Sequence, residues 1–229
     1  MKITIEDFLT NSYYITVNEK RATHFEKTFN DAGLNPIPKR INGYKTSDKF
    51  IQTYLKTFFN QDQLSRIHNL FCGVSHLIPI YYAKMSNMPF IAIFEDDAVP
   101  MNGILKKLPQ YLNNIPDDCD ILKLGFTRPM DYKEQTKSIS NSFYVRKTLG
   151  AHSYIVFQKY YDCLLRTNYS DPTPDESKLN NTSAKIYNST EPLFIQINEN
   201  SDAAVHGSRN AQYYNKYANG LIDINNYGF

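Results

Sequence analysis

The sequence predicts an α/β fold, a single domain over residues 1–229 with a mixed, mostly parallel central sheet flanked by helices. Three observations predict it. A buried strand, Tyr13 to Val17, runs straight into a stretch with helical spacing. A continuous apolar run, Phe90 to Phe94, stands between Pro89 and the acidic triplet Glu95-Asp96-Asp97, as a strand buried on both faces requires. Further short apolar runs alternate with helical stretches along the rest of the chain, and 229 residues suffice for one substantial core.

In order, Asn18 opens a helix whose Ala22, Phe25 and Phe29 share a face, and Gly33 closes it. Residues 34–46, with Pro36, Pro38 and Gly43, read as a loop. A helix follows from Ser47, with Phe50, Ile51, Tyr54, Leu55 and Phe58 on one face. A third helical stretch spans roughly 62–86, which Pro79 should kink or restart near Leu77. After the strand at 90–94 come a helix at 103–114, a strand at 120–125, strand segments within 142–157 and a helix at 158–167. Residues 168–191, poor in large aliphatics and holding Pro172 and Pro174, read as a long mobile loop able to close over a ligand. Leu193 to Ile197 is the last strand, and no internal repeat divides the chain.

Composition removes several classes. With 25 Lys+Arg against 23 Asp+Glu the net charge is +2, so the global field of a dedicated nucleic-acid binder is missing. Apolar runs of five residues are far short of the roughly 20 that cross a bilayer. Glu6 and Asp7 interrupt the N-terminus before a signal-peptide core can form, so the expected location is the cytoplasm. Cys72, Cys119 and Cys163 are widely spaced, and the expectation is buried reduced thiols with no zinc site. Glycine-rich phosphate loops and a nucleophile elbow are both missing.

Chemistry concentrates at Glu95-Asp96-Asp97. Strand alternation would send Glu95 and Asp97 to one side and Asp96 to the other, at the strand end where open α/β sheets bind ligands. Paired carboxylates there suit a hard divalent ion that borrows substrate phosphate oxygens; the competing reading is an acidic turn capping the next helix. His206, in the polar loop after the last strand, can return to the same edge as a further ligand. Ser75-His76 is either a helix-capping pair or part of a site, and Arg21, Lys39, Arg40 and Lys45 are candidate phosphate contacts or plain surface charges.

Read with their neighbours, these residues resemble the family 25 glycosyltransferases, which include lipooligosaccharide galactosyltransferases and collagen-modifying relatives. The resemblance runs through blocks in the family's order. Tyr13-Tyr14-Ile15-Thr16-Val17 with Arg21 comes first, then Cys72-Gly73-Val74-Ser75-His76-Leu77, then Phe90 to Pro100. Asp120 to Gly125, Gly150 to Leu165, and Pro192 to Gln196 with Ser201-Asp202 complete it. Thr16 stands where the family usually has Asn, and Phe71 replaces the Gly before the Cys.

The resemblance implies a GT-A-like domain with a nucleotide-sugar, foremost a UDP-sugar, across the strand ends. It implies Mn²⁺ or Mg²⁺ on Glu95 and Asp97, donor contacts from Thr16, Arg21, Ser75, His76 and Asp96, and transfer to a glycan acceptor hydroxyl with inversion. It places an acidic residue at Asp175, the candidate base. The implied role is glycan or lipopolysaccharide biosynthesis, with room for peripheral association with a membrane. Two other classes stay open: a metal-dependent phosphoesterase or nuclease, and a non-catalytic glycan-binding module using the 18 tyrosines.

Overall fold

Thr4 starts the chain's first helix with a reciprocal cap, its hydroxyl accepting from the Asp7 amide at 3.0 Å. The computed structural model describes residues 2–44, 53, 67–126, 128–129, 137–138, 143–145, 148–166 and 183–196. That helix, α1 (Ile5–Thr10), leads into β1 (Ser12–Thr16), α2 (Glu19–Asp31) and β2 (Lys39–Asn42). Asn18 caps α2, its side-chain oxygen accepting from the Lys20 amide at 2.9 Å, and Ala22, Phe25 and Phe29 are its buried face as their spacing predicts. Next come α3 (Ile67–Met85), β3 (Phe90–Glu95), β4 (Ala98–Pro100) and α4 (Ile104–Leu112). Short strands follow: β5 (Ile121–Lys123), β6 (Arg128–Pro129), β7 (Lys137–Ser138), β8 (Phe143–Val145), β9 (Thr148–Leu149) and β10 (Ser153–Phe157). A 3₁₀ turn at Gln158–Tyr160, α5 (Tyr161–Leu165), β11 (Ile186–Ser189) and β12 (Phe194–Gln196) complete the described chain.

The main sheet has the order β2-β1-β3-β10-β5-β11-β8-β7. β1 pairs parallel with β2 and β3, and β11 pairs parallel with β5; β10 is antiparallel to both β3 and β5, and β8 to both β11 and β7. Only β10 and β8 therefore run against the others, which is the mixed, mostly parallel sheet the sequence predicts. β3 sits inside this sheet, and its alternation serves two cores. Phe90, Ala92 and Phe94 join Phe8, Phe25, Phe29 and Leu108 on one face; Ile91 and Ile93 join Ile80, Ala83, Tyr154 and Tyr161 on the other. A strand with both faces buried cannot carry polar residues until it leaves the sheet, so the acidic triplet has to wait for its end.

Several expectations need correction. Residues 34–46 are not wholly loop: β2 lies within them, an edge strand whose only buried residue is Ile41 and whose charged neighbours disguise it. α3 continues through Pro79 instead of restarting at Leu77. The loop expected at 168–191 loses its end to β11, all four of whose residues are buried. Its polar Asn188 is tolerated there because the Thr148 hydroxyl donates to Asn188 Oδ1 at 2.7 Å. Of the cysteines only Cys119 is buried; Cys72 is half-buried and Cys163 exposed. Apart from Thr53, the helix expected from Ser47 lies outside the described residues, as do residues 168–182 of the predicted loop. No described helix is long and apolar enough to cross a membrane.

Candidate functional site

The Glu95 amide donates to the His152 carbonyl at 3.1 Å, and beyond Glu95 the chain turns at Asp96 and Asp97 before β4 begins. The turn overrides the alternation that would have sent Asp96 away. All three carboxylates instead gather at the C-terminal end of β3, with Asp96 only 5% and Asp97 only 7% exposed. Arg21, in the first turns of α2, bridges two of them: its Nη2 lies 2.5 Å from Asp96 Oδ1 and 3.0 Å from Asp97 Oδ2. Thr16, the last residue of β1, donates to Asp96 Oδ2 at 2.6 Å. β1 and β3 are parallel neighbours in register, Ile15 opposite Glu95, so their ends necessarily meet here.

Gln196 of β12 closes the other side. Its Nε2 donates to Glu95 Oε2 at 3.1 Å and to Asp97 Oδ2 at 3.2 Å, an amide lodged between two anions. It reaches them because β12 pairs with β4, setting Gln196 opposite Ala98. On the far side of Glu95, His76 of α3 places Nε2 3.3 Å from Oε1, while its Nδ1 meets the Tyr154 hydroxyl at 2.9 Å. His152 is fully buried next door; its Nε2 donates to the Phe194 carbonyl at 3.1 Å, and burial holds its pKa below the ordinary imidazole value.

The three carboxyls titrate apart. Burial pushes Asp97 up to about 8, with the Glu95 charge adding to the effect and Arg21 offsetting only part of it. Burial also raises Asp96, against the pull of Arg21 and the Thr16 hydroxyl. For Glu95, burial is outweighed by His76, His152 and Arg21, which together hold it below the ordinary range. Formally the cluster sets three negative charges against one guanidinium. Asp97 Oδ1 is buried with no hydrogen-bond partner among the described residues, and Gln196 marks a place of negative potential between two carboxylates. An all-oxygen, net-negative donor set of this kind fits a hard divalent cation such as Mn²⁺ or Mg²⁺.

Of the residues singled out from the sequence, Thr16, Arg21, His76, Glu95, Asp96 and Asp97 are thus brought together. Ser75 lies one residue from His76 but is engaged by backbone: it donates to the Phe71 carbonyl at 2.7 Å and accepts from the Tyr44 amide at 3.0 Å. Arg40 pairs with Glu19 at 2.8 Å, away from the carboxylates. Asp175, His206 and Lys45 lie outside the described residues. Sequence reasoning held Gln196, Tyr154, His152 and Lys123 only as members of the resemblance blocks and gave them no role; Lys123 is fully buried in β5 with Nζ on the Thr148 carbonyl at 2.6 Å. It likewise gave no role to Cys72, whose ligand atom lies within 4.8 Å of those of His76 and Glu95. The four-residue spacing of Cys72 and His76 was the available signal for that last group.

No family model matches this chain, and neither does any curated protein. Among solved structures, the chain is similar to a glycosyltransferase involved in glycosylation of the major capsid of PBCV-1. The identity is 7% and the TM-score 0.47, over 88% of this chain and 97% of the other. It is also similar to A197 from STIV, at 10% identity and TM-score 0.44 over 82% and 94% of the two chains. A third likeness, at 12% identity and TM-score 0.36 over 93% and 98%, is to the inositol-1-phosphate CTP transferase from T. maritima. At these identities and TM-scores the likenesses say nothing of this chain's chemistry.

Proposed function

We propose that this chain is a glycosyltransferase that moves a sugar from a nucleotide-sugar, foremost a UDP-sugar, to a hydroxyl of a glycan acceptor with inversion. One observation carries the reading: two buried carboxylates and a partly buried third, one guanidinium and one amide meet at the C-terminal end of a central strand. The resemblance of the surrounding blocks to family 25 supports it. Glu95 and Asp97 would hold Mn²⁺ or Mg²⁺, with His206 as a further ligand, and when bound the ion offsets the charge that builds on the departing diphosphate.

The chain's own residues do the rest. Arg21, with 22% of its side chain exposed, presents a cation at the rim of the cluster, where the donor's phosphates would lie. Thr16 and Arg21 fix Asp96, one carboxylate oxygen each, in a position where it would meet a donor hydroxyl. In the transfer, the bond from the anomeric carbon to the phosphate oxygen breaks and its electron pair leaves with the nucleoside diphosphate. The acceptor oxygen bonds the same carbon from the opposite face and its proton passes to a base, for which Asp175 is the candidate. The reading takes residues 1–229 as one catalytic domain acting in the cytoplasm, with no nucleic-acid partner and an acceptor that can include membrane-borne glycans.

The test is nucleoside diphosphate release from UDP-, GDP- and CMP-sugars, with and without Mn²⁺ and with and without oligosaccharide acceptors. Acceptor-stimulated release is expected, and Asp97→Asn should lower it by at least about a hundredfold, the scale of losing a principal electrostatic stabiliser. Release indifferent to acceptor would make the chain a hydrolase. A folded Asp97→Asn protein working at the parent's rate in limiting metal would refute the site.

A further inference from the structure

We infer that Cys72 Sγ, His76 Nε2 and Glu95 Oε1 form a binding site for a borderline-soft divalent ion of the zinc class, separate from the oxygen site at Glu95 and Asp97. The inference shares Glu95 with the transferase reading but does not depend on it. Cys72 and His76 are four apart on α3, one helical turn, so both side chains project from the same face. That face meets the end of β3, which supplies the carboxylate.

The distances fit an ion. Zinc–nitrogen and zinc–oxygen bonds of about 2.0–2.2 Å in a tetrahedral shell set the two ligand atoms about 3.3–3.4 Å apart, and His76 Nε2 stands 3.3 Å from Glu95 Oε1. One ligand atom from each of Cys72, His76 and Glu95 lies within 4.8 Å of those of the other two, so side-chain movement on the order of 1 Å completes three ligands.

The surroundings are those of a ligating histidine. The His76 ring is buried and stacks on Tyr154 with centroids 5.8 Å apart and planes 20° from parallel. His76 Nδ1 lies 2.9 Å from the Tyr154 hydroxyl; with an ion bound, Nδ1–H would donate to that oxygen and Nε2, which faces Glu95, would give its lone pair to the ion, the outer-partner arrangement of metal-bound histidines. The same two contacts exclude the other reading of a Cys-His pair, a thiol nucleophile with its base, because Nε2 faces the carboxylate and Nδ1 the phenol. Glu95 turns Oε1 to this group and Oε2 to Gln196, so one carboxylate can serve both sites. Three protein ligands leave a fourth position for water or substrate, as in open rather than structural zinc sites.

Cobalt(II) is the probe, added to the metal-free full chain. A thiolate-to-cobalt charge-transfer band in the near ultraviolet is expected, displaced by one equivalent of Zn²⁺ and lost in Cys72→Ser. His76→Ala should weaken Zn²⁺ binding at least about tenfold, the least that even an outer partner's loss costs. No band in the parent, or a band that survives in Cys72→Ser, overturns the inference. A measurement free of variants uses alkylation of the parent read by mass spectrometry. Zn²⁺ should shield Cys72 while exposed Cys163 labels as before, and equal labelling of Cys72 with and without Zn²⁺ overturns the site. Asp97→Asn should keep the cobalt band while losing sugar transfer. Transfer without the band sinks only the zinc-class site; the band without transfer sinks only the transferase reading.

Discussion

Asp97→Asn should erase a pH dependence that one buried carboxyl imposes on the metal-free fold. In the folded chain Asp97 is pushed up to about 8; in the unfolded chain it returns to about 3.9. Between those values the folded chain holds a proton the unfolded chain has released. The resulting stability is complete below about pH 4 and is lost as pH rises through about 8, at up to about 1.4 kcal/mol per pH unit. His152 opposes this at lower pH: its depressed pKa makes the fold more stable as pH rises, but only up to the unfolded imidazole value of about 6.5. Asp96, also raised, acts in the same sense as Asp97, while the gain from depressed Glu95 is complete in the acid range.

The clean window is therefore about pH 6.5 to 8, over which integration of the Asp97 equilibrium leaves a loss of about 1.5 kcal/mol. For a chain of this size that lowers the melting temperature by roughly 3–6 °C. Circular-dichroism melts in chelator, at constant ionic strength, should show that fall in the parent and a much shallower one in Asp97→Asn. A variant that falls in parallel with the parent, or a parent whose melting temperature climbs across the window, would refute the assignment of the buried proton to Asp97.

Other perturbations follow from the same contacts. Arg21→Met removes the guanidinium shared by Asp96 and Asp97 and should cost about 2 kcal/mol, below the range for a fully buried pair because Arg21 is partly exposed. Urea unfolding should show the loss deepening from about pH 6 to about pH 8 as Asp97 ionises, and equal losses at both would count against the pairing. Thr16→Val keeps the shape but deletes the 2.6 Å hydrogen bond to Asp96; with Arg21 still in place about 1.5 kcal/mol should go, and a change lost in the error of a melt would show Asp96 is held by Arg21 alone. Gly125→Ala would set a Cβ 2.3 Å from His152 Nε2 and 2.7 Å from the Phe194 carbonyl oxygen. Overpacking against backbone should cost at least about 2 kcal/mol and displace β12 with Gln196, seen as a lower midpoint in denaturant; a neutral result would mean that His152 can turn aside.

The chain's pattern was enough to read β1, α2, β3, α4 and β10, because each has a period or an apolar run that burial demands, and to locate the acidic triplet at the end of a central strand. β3 is the clearest case: five apolar residues in a row are intelligible only as a strand with a core on either side. Where local pattern is weak, tertiary context decided. β11 is a strand because Thr148 satisfies Asn188 and β5 and β8 flank it, none of which shows in the four-residue run Ile186 to Ser189 at the end of a polar stretch. β2 is a strand because β1 offers it an edge. The site divides in the same way. Its carboxylates were legible as a motif, but their common direction was set by a turn, which alternation along a strand does not describe. Gln196 lies 99 residues from Asp97, Thr16 lies 80 from Asp96, and Tyr154 lies 78 from His76. Those partners are chosen by strand order and helix packing, so the charges and proton affinities of the cluster, and the meeting of Cys72 with His76 and Glu95, exist only once the sheet has formed.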